Sequence, residues 1–280
     1  MSAFHRPATM AEALGHLAGD GMRILAGGTD LYPATTGPDL GGPILDITGL
    51  PGLRGIARVA GGLRVGACTS WAEIARAPLP PALGALAQAA REVGGRQIQT
   101  AGTLGGNLCN ASPAADGVPP LLVCDAEVEL IGPQGARRMP LCDFLQGPRR
   151  TARLPGEILA AVILPDSGLT GSSRFLKLGA RAYLVISITM VAVRLDIRDG
   201  RILHAALAVG AASPVARRLP AVEAALTGAQ AAGAASRIDA SVVAAALSPL
   251  DDARASAAYR AHAACALLRR AVEEIAGEAT

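Results

Sequence analysis

Leu25-Ala-Gly-Gly-Thr-Asp-Leu31 and Thr100-Ala-Gly-Thr-Leu-Gly-Gly-Asn-Leu-Cys-Asn-Ala-Ser-Pro-Ala-Ala-Asp116 are the two stretches on which the reading of this chain turns; they begin about 75 residues apart. A Gly-Gly step lets backbone amides approach a ligand with no side chain in the way. It also tolerates the positive φ that aims consecutive N–H groups at one point. Two such concavities, each followed by hydroxyl, amide or carboxylate side chains, suit a diphosphate bridged between two loops, as in a dinucleotide site. The familiar fingerprints are missing: there is no G-x-x-x-x-G-K-[ST], and no G-x-G-x-x-G opens a helix after a strand. With 33 glycines in 280 residues, Gly-Gly pairs also arise by chance, and Gly41-Gly42 and Gly61-Gly62 read as ordinary turns.

Around the first segment the sequence reads as a small α/β unit. Thr9-x-x-Glu12 is a capping box for a helix with Ala13, Leu14 and Leu17 on one face. A turn at Asp20-Gly21, a strand from Met22 to Ala26, a second helix beginning near Asp30 and a strand over Ile44–Ile47 complete the unit. Beyond residue 53 a larger α+β region follows. Hairpins are expected at Leu53–Val59/Leu63–Ala67 and at Ala126–Ile131/Ala136–Met139, with short helices after Ser70 and over Pro81–Val93, and a last strand from Glu157 to Leu164. Pro165 to Ser173 has the composition of a linker. After it come strands at Phe175–Leu178, Val185–Ile197 and Ile202–Gly210, then helices near 217–227, 237–247 and 254–276. Strands followed by helices favour α+β over a doubly wound sheet.

Hydrophobic residues make up 51% of the chain but aromatics only 2%, so the core is built from Ala, Val, Leu and Ile. The net charge of +3 is mild, and without a basic stripe or bases-stacking aromatics a nucleic-acid partner is not expected. The N-terminus lacks a signal-peptide layout and no run is long enough for a membrane span, so a soluble, cytoplasmic protein is expected. Cys68, Cys109, Cys124, Cys142 and Cys265 are widely spaced, and neither a metal site nor an iron–sulfur cluster is expected; Cys109 stands apart by lying in the second glycine segment. His5, His16, His204 and His262 are isolated in sequence, no G-x-S-x-G elbow is present, and Asp251-Asp252 reads as a helix cap. A dinucleotide site without a general acid, base or nucleophile points to a bound cofactor that carries the reactivity.

Phe4-x-Arg-Pro7, Glu12-Ala-Leu14 and Ile24-Leu-Ala-Gly-Gly-Thr-Asp-Leu31 resemble the opening of the FAD-binding medium subunit of molybdenum hydroxylases, the xanthine dehydrogenase and carbon monoxide dehydrogenase family. Ala101–Leu108, Ala111–Asp116, Gly156–Leu159, Phe175–Arg181, Ala208–Gly210 with Pro214 and Arg217, and Tyr259-Arg260 with Leu267 and Ala271 continue the likeness in order along the chain. The resemblance implies an FAD-binding domain of the vanillyl-alcohol-oxidase (PCMH) type over 1–165, with subdomains of about 1–52 and 53–165. A C-terminal domain over 174–280 would combine a three-stranded antiparallel sheet with a helical bundle. It also implies non-covalent FAD, held by Leu25, Ala26, Gly27, Gly28, Thr29, Asp30 and Leu31 on one side and by Thr103, Leu104, Gly105, Gly106 and Asn107 on the other. Asp116, Leu159 and Lys177 would add contacts, the last two near the flavin ring.

The same resemblance implies an electron-transfer subunit. A molybdopterin large subunit would oxidise the substrate, an iron–sulfur small subunit with two-iron clusters would deliver electrons to FAD, and the assembly would be a dimer of heterotrimers. The acceptor (NAD, oxygen or another) stays open, because Tyr183–Ile188 is apolar where animal xanthine dehydrogenases carry acidic residues. The cysteine-rich insertion of the 4-hydroxybenzoyl-CoA reductase branch has no counterpart here. A flavin-free assembly scaffold and a stand-alone flavin oxidoreductase of the same fold are the alternatives.

Overall fold

In the computed structural model, which describes residues 3–19, 21–37 and 40–278, the first unit is a three-stranded parallel sheet. Strands β1 (Phe4–His5), β2 (Arg23–Leu25) and β3 (Ile44–Asp46) lie in the order β1-β3-β2, with helix α1 (Met10–Leu17) between β1 and β2. Thr9 caps α1 by accepting the Glu12 N–H, and the Glu12 carboxylate accepts the Ala8 N–H at 2.8 Å, so the reciprocal pair forms one residue away from its expected place. Asp20 of the expected turn lies outside the described residues; Gly21 beside it has φ +75°. No second helix forms near Asp30. Residues 28–35 make hydrogen-bonded turns (Tyr32 N–H to Gly28 O, Ala34 N–H to Asp30 O), and Pro33, lacking an N–H, breaks the ladder.

The second unit is a five-stranded antiparallel sheet ordered β4-β5-β10-β6-β7. Its elements in chain order are β4 (Ile56–Val59), β5 (Gly62–Gly66), α2 (Trp71–Arg76), α3 (Gly84–Glu92), α4 (Arg96–Ala101), α5 (Leu104–Asn110), α6 (Val118–Leu122), β6 (Glu127–Gly132), β7 (Gly135–Pro140), α7 (Leu141–Phe144), the small pair β8 (Leu145–Gly147) and β9 (Arg150–Thr151), and β10 (Ile158–Pro165). Both expected hairpins are present, and Ser70 and Glu73 form the complete capping box of α2, worth about 1 kcal/mol. Central β10 is buried from Ile158 to Leu164. A bulge between Leu159 and Ala161 shifts the alternation by one, so Leu159, Val162 and Leu164 join the main core while Ile158 and Ala160 pack with Leu45, Ile47 and Leu50 of the first unit.

The last sheet has three long strands, β11 (Ser172–Leu178), β12 (Thr189–Arg198) and β13 (Arg201–Gly210), with β14 (Arg217–Arg218) added at the β13 edge. Helices α8 (Pro220–Leu226), α9 (Ala240–Ala246) and α10 (Ala257–Glu278) cover one face, burying Val191, Val193, Leu268 and Val272 in a common cluster. The other face gives Phe175, Met190, Ala192, Ala206 and Ala208 to the core of the second unit. Two expectations need correction here. Residues 185–188 are not strand: Leu184 is left-handed (φ +53°), and the Ser187 side chain turns in to bond Asp116. The 165–173 segment is not a loose linker either. It is a short 3-10 turn (Asp166–Leu169) nailed down by the fully buried Arg194, whose guanidinium donates to Val123 O (2.7 Å), Ser167 O and Thr170 O.

Candidate functional site

A cavity of about 700 Å³ opens between the first two units, within the range of a dinucleotide-sized ligand site. The β2-to-turn segment forms one wall, with Leu25 through Leu31 all lining it; α5 and the adjoining chain form the other, with Thr103, Gly105, Gly106 and Asn107. Leu159 lines it from the β10 bulge. The walls touch at their glycines: a Cβ on Gly27 would lie 2.1 Å from Ala101 O, so only glycine lets these segments meet.

The two glycine segments are built differently. In the first, Gly28 has φ +70°, and among the described residues no acceptor is recorded for the N–H groups of Gly27, Gly28, Thr29, Asp30 and Leu31. Five consecutive amides that line a cavity wall and make no hydrogen bond within the described chain form a donor array open to an anion. In the second, the expected loop is helix. Leu104 N–H donates to Thr69 O, Gly105 N–H to Ala67 O (2.8 Å), Gly106 N–H to the capping Thr103 hydroxyl (3.1 Å) and Asn107 N–H to Thr103 O. Those donors are spent, so this wall contributes shape and side chains. Gly105 is needed for packing, since a Cβ there would approach Ala67 to 2.6 Å, whereas a Cβ on Gly106 would meet only Thr103 Oγ1, at 2.9 Å.

Three of the sequence-derived residues are not on the cavity wall. Leu104 is wholly buried in the core beneath α5. Asp116 and Lys177 pair with each other instead: Nζ to Oδ2 is 2.6 Å, both side chains are under a tenth exposed, and Ser187 Oγ donates to the other carboxylate oxygen at 2.7 Å. Burial pushes the Asp116 carboxyl above its usual range, with Lys177 and Ser187 pulling the other way.

Several lining residues were not singled out from sequence. Arg23, Arg149 and Arg153 bring positive charge, and Trp71 and Ile98 bring apolar surface. Cys109 and Asn110 of the second glycine segment both line the cavity. Arg153 is positioned by its bond to Glu157 O (2.8 Å). Glu157 is in turn fixed by a two-pronged pair with Arg137 (2.6 and 2.8 Å) that holds its carboxyl below the usual range. Cys68 also lines the cavity, but burial, with Asp46 adding to it, pushes its thiol up to about 11; it is no thiolate nucleophile near neutral pH. Among the described residues no group of three His, Cys, Asp or Glu could hold a metal ion. The histidines are away from the cavity wall, although His5 and His16 stack with ring centroids 4.1 Å apart. Asp251 caps α10 through Ala257 N–H, while Asp252 pairs with Arg254 and the buried Arg260.

Residues 1–167 match the family model described as the FAD binding domain in molybdopterin dehydrogenase, and residues 174–275 match that of the CO dehydrogenase flavoprotein C-terminal domain. The chain belongs to the FAD-binding medium subunits of the molybdenum hydroxylase family. It is 35% identical over 219 residues to the xanthine dehydrogenase FAD-binding subunit of Escherichia coli O157:H7, covering 76% of this chain and 75% of that one. It is 32% identical over 278 residues to the carbon monoxide dehydrogenase medium chain of Afipia carboxidovorans, covering 96% and 95%. The solved carbon monoxide dehydrogenase from Hydrogenophaga pseudoflava superposes with a TM-score of 0.89 at 27% identity over 98% of this chain and 96% of its own. The chain is thus the flavoprotein component of an oxidoreductase complex of this family, with FAD as its cofactor and the molybdenum and iron–sulfur cofactors in partner subunits.

Proposed function

We propose that this subunit holds FAD without a covalent bond and relays electrons from the two-iron clusters of an iron–sulfur small subunit to an acceptor, within a complex whose molybdopterin large subunit oxidises the substrate. The observation that carries the cofactor placement is the run of partnerless amides from Gly27 to Leu31 on a dinucleotide-sized cavity. Those amides would receive the diphosphate; Gly106 would leave room for it, and the Thr103 hydroxyl and Asn107 amide would flank it. Leu159 and Trp71 would exclude water. Bound FAD supplies the redox chemistry that lets one-electron donors serve a two-electron acceptor. The protein's part is to bind, orient and desolvate. The reading extends to an FAD-binding domain over 1–165, divided near 52, a C-terminal domain over 174–280, a dimer of heterotrimers and a cytoplasmic location. No helix among the described residues is long and apolar enough to cross a membrane. The acceptor would be NAD, oxygen or another oxidant.

The purified chain is expected to carry one FAD and to release all of it into the supernatant on acid or heat denaturation, with an FAD-type spectrum before and after. Chromophore retained on the precipitate, or release of FMN, would refute the non-covalent FAD assignment. A colourless protein that also fails to take up added FAD would favour the scaffold alternative.

A further inference from the structure

The turn between β8 and β9 and the chain leaving it read Gly147-Pro-Arg-Arg-Thr-Ala-Arg-Leu154. Arg149 and Arg150 are exposed, Arg153 is half-buried, and Leu154 is 57% exposed among them. Among the described residues none of these three guanidinium groups is ion-paired, whereas thirteen other arginines of the chain are. Glu157, just before β10, is already taken by Arg137. Arg149 is steadied by Asn110, through its backbone carbonyl and its side-chain amide oxygen, and Arg153 by the backbone carbonyl of Glu157, so both guanidinium groups are held in place without forming an ion pair. The backbone at Arg149 is left-handed (φ +59°) and bonded through its N–H to Ala111 O, so an arginine occupies a conformation that glycine would adopt more easily.

We propose that this basic turn is the docking surface for an acidic patch on the iron–sulfur subunit, an inference that rests on the electron-transfer reading above. The surface is continuous with the cofactor cavity. Arg149, Thr151 and Arg153 line that cavity, while Arg150 and Leu154 do not line it and face solvent. A protein seated on Arg150 and Leu154 therefore rests on the outer side of the cavity wall, next to the cofactor site. An uncompensated cluster of arginines around an exposed leucine has the make-up of an interface centre that meets carboxylates. A small anionic acceptor entering the cavity would meet Arg149 and Arg153 and would leave Arg150 and Leu154 unused.

The test is the association rate of the FAD-loaded full chain with the purified iron–sulfur subunit of the same complex, at low and at high salt. Arg150→Glu is expected to slow association about tenfold at low ionic strength, with the gap closing as salt screens the charges. FAD content and melting temperature should be unchanged. Arg150→Lys should associate at the wild-type rate, and Arg201→Glu, on the remote β13 edge, should change it less than about twofold. Association of the wild type with no difference between Arg150→Glu and Arg201→Glu overturns the docking surface. So does an Arg150→Glu variant that alters only the KM for NAD, which would make the turn an acceptor site. A wild-type chain that carries FAD and does not associate with the iron–sulfur subunit at all overturns the electron-transfer reading itself.

Discussion

Gly27→Ala is expected to yield little folded protein, whereas Gly106→Ala should fold normally and lose its FAD. The two glycines lie on opposite walls of one cavity, but what a methyl group would meet differs. At Gly27 it would sit 2.1 Å from Ala101 O and 2.9 Å from Gly102 Cα, backbone that cannot swing aside. Forcing the walls apart costs about 3 kcal/mol or more, a large share of a domain's margin. At Gly106 the one near neighbour is Thr103 Oγ1 at 2.9 Å. Alanine gains up to about 1 kcal/mol of helix propensity and gives back a similar amount by crowding the cap, so stability should barely move. The methyl would then occupy cavity space, and FAD affinity is expected to fall about a hundredfold, or about 2.8 kcal/mol. Melting curves of the apoproteins and fluorescence titration with FAD separate the two outcomes. Wild-type affinity in Gly106→Ala would remove the α5 wall from the cofactor site.

Lys177→Met is expected to destabilise the protein by about 3–5 kcal/mol, because it strands the Asp116 carboxylate in the interior with Ser187 as its remaining partner. Lys177→Met combined with Asp116→Asn should recover most of that loss, since a neutral amide beside a methionine carries no uncompensated charge. In the single variant Asp116 keeps its burial and loses its cation, so its native pKa rises further above the unfolded value. Stability should then be fully present below the unfolded pKa of about 3.9 and be lost as pH climbs through the raised native pKa, making the variant sturdier near pH 5 than pH 8. The resemblance implied a lysine near the flavin ring, where losing a full charge worth ~1.4 kcal/mol would shift a two-electron potential by roughly 30 mV. A lysine already neutralised by Asp116 should move it by less. A potentiometric titration showing a larger shift, with unaltered stability, would restore the direct contact.

Much of the architecture was legible because local signals agreed with the final packing. Ser70 and Glu73 announced α2, Gly132-Pro-Gln-Gly135 announced the β6–β7 hairpin, and the apolar run of β10 announced a central strand. The failures have physical causes. Two glycines in seven residues argue against helix by propensity, yet α5 forms because Thr103 caps it and Leu104 and Leu108 anchor it in the core. Tyr183-Leu-Val-Ile186 has strand composition, but the tie from Ser187 to Asp116 and the left-handed Leu184 hold it as a loop. That the first segment lines the cavity was legible because a Gly-Gly step leaves its backbone freedom visible in the sequence. Arg23, Arg149 and Arg153 were not, since scattered arginines acquire meaning only when folding gathers them.

Arg194 carries a consequence for anyone who would cut this chain in two. A break at Thr170-Gly171 falls between the two family-model matches and looks harmless on paper. It would separate Arg194 from Val123, Ser167 and Thr170, marooning a guanidinium designed for the dark side of a sheet. The front fragment would bare the apolar surface that Phe175, Met190 and Ala206 now shield. Each piece would be an adhesive fragment, prone to clump with its own kind, and mixing them should rebuild the flavoprotein only where reassembly outruns aggregation.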